Sequence, residues 1–236
     1  MEKSNWKVYT RYDFTVEGRN GLIILPPSTA EGNPWIWRAE YFDIYSQVDM
    51  VMLERGWHIA YYDVSHMYGC PESIRLMHGF QNFVEKEFKL SSRAVLFGFS
   101  IGGLYSFNYA AEYPDKVAAL YLDAPALDTK VIAEGEKEPK NCMKLYGLTR
   151  DTVKDFKDSP IDKIDQVAEA GIPIIMVQGD ADTAAVYSKH GEILFNRYTQ
   201  LGGEIKLIMK PGVGHHPHSL ENPLPVVEYL LEKRLR

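Results

Sequence analysis

Six short apolar runs, each separated from the next by a longer amphipathic stretch, constrain this chain more than any other feature. They lie at residues 21–25, 57–62, 93–97, 117–122, 173–178 and 204–209. Runs of this length without polar alternation suit strands buried on both faces, as in a parallel sheet covered by helices. The stretches between them read as helices. One spans 38–55 and stops at Gly56, a residue suited to the turn after a helix. Another spans 71–88 and opens on Pro71. Others span 101–112, 184–201 and 222–234. Such alternation with short loops predicts an α/β fold with a doubly wound, mostly parallel sheet flanked by helices. A weaker alternation over 8–16 predicts an antiparallel edge strand.

No linker or repeat divides the 236 residues, so one domain over 1–236 is expected. The strand-free stretch 124–171, with the charged run 134–138 inside it, predicts a small helical cap inserted over the carboxyl edge of the sheet. Lysine plus arginine number 26 against 32 acidic residues, a net charge of −6, and no basic block occurs. That balance argues against nucleic acid or an anionic membrane as partner. Cys70 and Cys142 have neither CxxC nor zinc-site spacing and read as free thiols of a reducing compartment. The first residues carry no apolar run, so a signal peptide is not expected and a cytoplasmic location is. No run is long and apolar enough to span a bilayer. Nothing in the pattern fixes an oligomeric state.

The third apolar run leads directly into Gly98-Phe99-Ser100-Ile101-Gly102, a G-x-S-x-G placed between a buried strand and a helix. A serine on so sharp a turn has a constrained backbone and an exposed hydroxyl, and flanking glycines avoid clashes with the neighbouring strand and helix. The plainer reading is a strand–helix turn with a capping serine. A serine nucleophile needs a base. The glycine-rich loop after the sixth run supplies His215, directly after Gly214, with His216 as the second choice and His218 further on. The base needs an acid to fix its tautomer. Asp182, in Gly179-Asp180-Ala181-Asp182 after the fifth run, is preferred; Asp123, after the fourth, and Asp180 are the alternatives. All these residues fall at carboxyl ends of predicted strands, where open α/β sheets place their sites. His215 and His218 also have H-x-x-H spacing, but no carboxylate or cysteine lies close in sequence to complete a metal shell, so no metal is expected.

With these motifs the chain resembles the α/β-hydrolase superfamily from Gly21 to the C-terminus. The resemblance implies the order Ser100, Asp182, His215 and a cap after Asp123. The segment Asn33-Pro34-Trp35-Ile36-Trp37-Arg38 is also similar to one in a group of small bacterial hydrolases. Esterases of the superfamily often carry His-Gly after their first parallel strand; here Leu25-Pro26-Pro27-Ser28 follows the first run. An oxyanion hole is therefore expected from the backbone N–H of Ile101 and that of Ser28 or a neighbour. Trp35, Trp37, Arg38 and Tyr68 are candidate substrate-binding residues, as a platform for a sugar ring or an acidic group. The alternative is that the tryptophans pack a helix start onto the sheet and Arg38 pairs with a structural carboxylate. His66 faces the same choice as Tyr68. The expected activity is serine hydrolysis of a small carboxylic ester through an acyl-enzyme, with no metal or organic cofactor. The rival is a ligand-binding or receptor-like protein of the same fold with little turnover.

Overall fold

The computed structural model describes residues 1–134 and 139–234, so residues 135–138 of the predicted charged run lie outside it. β1 (Glu2–Trp6), β2 (Tyr9–Val16) and β3 (Arg19–Ile24) form an antiparallel meander. Then come β4 (Trp35–Ala39), α1 (Gln47–Glu54), β5 (His58–Tyr62), α2 (Pro71–Phe88), β6 (Ala94–Phe99), α3 (Gly102–Glu112) and β7 (Val117–Asp123). α4 (Thr129–Glu134), α5 (Pro139–Leu145) and α6 (Ile164–Glu169) follow, with β8 (Ile174–Gly179), α7 (Gly191–Gln200), β9 (Ile205–Lys210) and α8 (Leu224–Arg234). The strands make one sheet in the order β1-β2-β3-β5-β4-β6-β7-β8-β9, parallel from β5 onward. Helices cover both faces. α2, α3 and α7 pack on one core, which includes Trp37, Phe80 and Leu104. α1 and α8 pack on the other, which includes Ile36, Met52 and Leu230. Among the described residues no strand occurs between β7 and β8, and no helix is long and apolar enough to cross a membrane.

Two sequence expectations fail at the start of the chain. The run 21–25 is strand β3, but it pairs antiparallel with β5 and so belongs to the meander. An antiparallel strand covered on both faces has the same apolar pattern as a parallel one, so direction cannot be read from it. The predicted helix 38–55 is instead the end of β4, a loop, and α1. β4 sits between β5 and β6, and all five of its residues are buried. The sheet reverses its winding here: the chain steps outward from β4 to β5, then crosses back over β4 to β6. Ligand sites of open α/β sheets form at such a reversal.

The placement of β4 also removes two candidate substrate residues. Trp35 donates its indole N–H to the Ser91 carbonyl at 2.8 Å and stacks on Trp37. Trp37 packs against Phe80 and edge-on to Tyr109. Both are core residues with no face toward solvent. Trp37→Ala should lower stability by about 3–5 kcal/mol, the cost of emptying a buried aromatic site. Urea unfolding measures this, and an unchanged midpoint would contradict a core role for Trp37.

Candidate active site

The site begins at the turn from β6 into α3. Ser100 has φ +49°, in the left-handed region that costs a non-glycine residue roughly 1–2 kcal/mol. Its backbone is held on both sides: its N–H donates to the Asp123 carbonyl at 2.9 Å, and its carbonyl accepts from Gly103 and Ala126. The two glycines of the motif are required by close approach. A Cβ on Gly98 would lie 2.7 Å from the Ser106 hydroxyl, and one on Gly102 would lie 2.8 Å from the Ala39 carbonyl. Real side chains cannot occupy such distances, so the turn closes only with glycine there.

Two loops bring the remaining groups to Ser100. Asp182 follows β8, and His215 follows β9. Gly179 lets the loops meet, since a Cβ there would lie 2.3 Å from the Val213 carbonyl. His215 Nδ1 lies 2.8 Å from Asp182 Oδ2, and His215 Nε2 lies 2.8 Å from Ser100 Oγ. An ionised carboxylate only accepts, so Nδ1–H donates to Asp182, and neutral Nε2 accepts from the Ser100 hydroxyl. Burial raises the Asp182 carboxyl, but hydrogen bonds from His215 and from the Ala184 and Ala185 N–H groups outweigh it and hold the group below its ordinary value. Gln178 Nε2 adds a further donor at 3.1 Å.

The two alternative acids have other partners. Asp180 is exposed and accepts from the Gly212 N–H at 2.7 Å, a loop-to-loop tie. Asp123 is fully buried; it accepts from His218 Nδ1–H at 2.7 Å, the Ser219 N–H at 2.7 Å and the Tyr121 hydroxyl at 3.3 Å. It thus clamps the histidine loop to the end of β7, two residues beyond the cis bond between His216 and Pro217. His216 is exposed, stacked on Tyr45, and not aimed at Ser100.

Three further expectations are corrected here. Ser28 follows β3, which runs antiparallel to β5, and the Ala30 N–H donates to the Gly56 carbonyl just before β5 begins. Ser28 therefore lies at the amino edge of the parallel strands, opposite Ser100, and cannot reach an oxyanion there. Arg38 is buried in β4. Its guanidinium donates to the Ile44 and Tyr41 carbonyls at 2.6 and 3.3 Å, lies 4.3 Å over the Phe99 ring, and pairs with buried Asp49 at 3.6 Å. It shapes the loop after β4 and offers no face to a substrate. Tyr68 is buried; its N–H donates to the Tyr105 hydroxyl and its carbonyl accepts from the Tyr146 hydroxyl. Ile101 stays at the site: among the described residues its N–H has no acceptor. His66, next to Tyr68, is exposed, and its N–H donates to Glu40 Oε1 at 3.3 Å.

Sequence reasoning missed the loop at 40–45. It leaves β4 beside Ser100, with Glu40 Cβ 3.9 Å from where a Gly102 Cβ would sit. Burial pushes the Glu40 carboxyl up, against hydrogen bonds from Tyr105 and His66 that lower it. The signal that could have found this loop is the Trp-Ile-Trp-Arg-Ala run, had it been read as a buried strand.

The sheet order and its helical layers are those of the α/β-hydrolase fold. Residues 59–231 match the model of the prolyl oligopeptidase family, and the chain belongs to this family. No curated protein matches the sequence. Among solved structures it is similar to Est1E from Butyrivibrio proteoclasticus, at 18% identity and TM-score 0.68, over 96% of this chain and 99% of that one. It is also similar to an acylaminoacyl peptidase from Pyrococcus horikoshii, at 14% identity and TM-score 0.66, over 88% of this chain and 37% of that one. A puromycin-hydrolyzing peptidase of Mycobacterium tuberculosis aligns at 13% identity and TM-score 0.71, over 94% and 38%. The chain therefore spans little more than a third of the two peptidases and nearly all of Est1E. Identities this low carry the fold alone.

Two outcomes follow from the carboxylates. Asp123→Asn leaves an amide N–H₂ facing the Ser219 N–H or His218, so it should cost about 1–3 kcal/mol in a thermal or urea melt. An unchanged melt would show that Asp123 does not anchor the loop. Asp182 has a depressed folded pKa. Its contribution is therefore complete above the unfolded carboxyl value, about 3.9, and is lost as pH falls through the folded value. Acid unfolding of Asp182→Asn should accordingly show a shallower loss of stability than wild type below about pH 4. Identical slopes would contradict the hydrogen-bonded, ionised carboxylate.

Proposed function

We propose that the protein hydrolyses small carboxylic esters by acyl transfer, with Ser100 as nucleophile, His215 as base and Asp182 as the acid that orients it. The observation that carries this reading is the unbroken hydrogen-bonded line from Ser100 Oγ through His215 to Asp182, with both contacts at 2.8 Å. Ser100 Oγ attacks the ester carbonyl as its proton passes to His215 Nε2. The imidazolium is stabilised by Asp182, which stays ionised. The carbonyl oxygen becomes an oxyanion, held by the Ile101 N–H and the Glu40 N–H, which takes the place first expected of Ser28; the Tyr41 N–H is already given to the Ala39 carbonyl. His215 then returns the proton to the leaving alkoxide. Water, deprotonated by the same imidazole, releases the acid and restores Ser100. The described residues of 124–171 are read as the cap, tied to this edge through the Ala126 N–H on Ser100 and the Tyr146 hydroxyl on Tyr68. The substrate is a small molecule. None of these steps calls for a metal or organic cofactor.

The ester reading is taken from the likeness to Est1E, which aligns with 96% of this chain. The family description favours a second reading, cleavage of an amide or peptide bond by the same groups. A matched pair of substrates separates them: a chromogenic acetyl ester and an aminoacyl anilide. The ester should turn over and the anilide should be far slower. Ser100→Ala and Asp182→Asn should each lower ester turnover on the order of 10³-fold or more, and Asp180→Asn should change it little. Faster anilide cleavage would select the peptidase reading. Retained turnover in Ser100→Ala would overturn the serine mechanism, and no turnover in wild type would select the ligand-binding rival.

A further inference from the structure

We propose that His215, His216 and His218 together bind one zinc-like divalent ion, and that this ion reversibly switches the hydrolase off. The inference rests on the proposed role of His215 for its inhibitory half, and on geometry alone for its binding half. One ring nitrogen from each of the three histidines lies within 4.8 Å of the others. The rings stand edge-on to one another in all three pairings, with centroids 4.8, 4.9 and 5.0 Å apart. Three imidazoles with one nitrogen each within 4.8 Å of the others, without thiolate, suit Zn²⁺, Cu²⁺ or Ni²⁺ and not Mg²⁺ or Ca²⁺.

The structure adds what the sequence lacked. Two of the three rings are backed by carboxylates: Asp182 accepts from His215 Nδ1–H, and Asp123 accepts from His218 Nδ1–H. A carboxylate behind an imidazole fixes the tautomer, turns the Nε2 lone pair outward and raises its basicity, as it does behind histidines that hold metals. Among the described residues, no hydrogen bond reaches His218 Nε2. The two buried carboxylates also offset the charge of a dication. His216 is the exposed member, held by a 3.3 Å contact with the Tyr45 hydroxyl and a stack on its ring. Zinc–nitrogen bonds of about 2.0–2.1 Å in a tetrahedron require nitrogens closer together than the present spread, so the site closes by a small swing of His216.

The ion and the reaction compete for one electron pair. His215 Nε2 now accepts from the Ser100 hydroxyl. Once Nε2 is bonded to a metal it cannot take the Ser100 proton, so the serine loses its base and acyl transfer stops. No electron changes hands, and removal of the ion restores the original hydrogen bond.

The test uses untagged protein, with zinc binding followed by calorimetry and ester turnover measured alongside. Zinc should bind one ion per chain and abolish turnover in parallel, and EDTA should restore it. Co²⁺ should give the intense visible absorption of a four-coordinate site, and Mg²⁺ should have no effect. His216→Gln should keep wild-type turnover yet need at least about tenfold more zinc for half-inhibition, in line with loss of one ligand. Ser100→Ala should bind zinc at least as tightly as wild type, because the hydroxyl no longer competes. That arm reads binding without turnover, so it stands even where the serine mechanism fails. Absence of saturable zinc binding, or zinc sensitivity unchanged in His216→Gln, would overturn the proposal.

Discussion

The rest of the site depends on the backbone turn at Ser100. Its φ of +49° is unfavourable in isolation and persists because its neighbours fix it. The Asp123 carbonyl at the end of β7 holds the Ser100 N–H, and the Ala126 N–H at the start of the 124–171 segment holds its carbonyl. The strand beside it, β4, runs so close that Gly102 has no room for a side chain. Three separate parts of the chain thus converge on one residue. The serine hydroxyl is left at the carboxyl edge of the sheet, where the winding reverses, within 2.8 Å of His215 Nε2.

The histidine loop is positioned by the same economy of strand ends. Asp123 serves twice: its carbonyl fixes the serine turn, and its carboxylate fixes His218 and the Ser219 N–H on the far side of His215. Asp180 pins the near side through the Gly212 N–H. His215 lies between these anchors, with Asp182 beneath it. Its ring is therefore oriented from two strands, β7 and β8, before any substrate arrives. Preorganisation of this kind lets a fixed dipole or base act without rearrangement during the reaction.

The candidate site was legible in the sequence because each of its groups follows an apolar strand and is marked by glycine. Gly98 and Gly102 frame Ser100, Gly179 precedes Asp182, and Gly214 precedes His215. The runs at 93–97, 117–122, 173–178 and 204–209 became β6 to β9, and 71–88 became α2. The first forty residues misled for a physical reason. β3 and β4 are both covered on two faces, so neither shows alternation, and the apolar pattern says nothing of strand direction. β4 also carries Arg38, whose guanidinium is paired with Asp49 and bonded to loop carbonyls that no local pattern reveals. Reading 21–25 as the first parallel strand moved the expected oxyanion donor to Ser28, at the wrong edge. The Asp123–His218 pair was invisible for a different reason: its members are 95 residues apart, one at the end of β7 and the other in the loop after β9, and only the folded sheet joins them.

The central claim is that Ser100 carries the acyl group during turnover. Mixing the enzyme with a chromogenic acetyl ester, quenching in acid within a turnover and mapping the digest by mass spectrometry tests it directly. The account predicts a transient acetyl adduct on the peptide containing Ser100, formed with the burst of released alcohol and lost as steady state ends. Steady ester turnover with no adduct, or with the acetyl group on another residue, would contradict it.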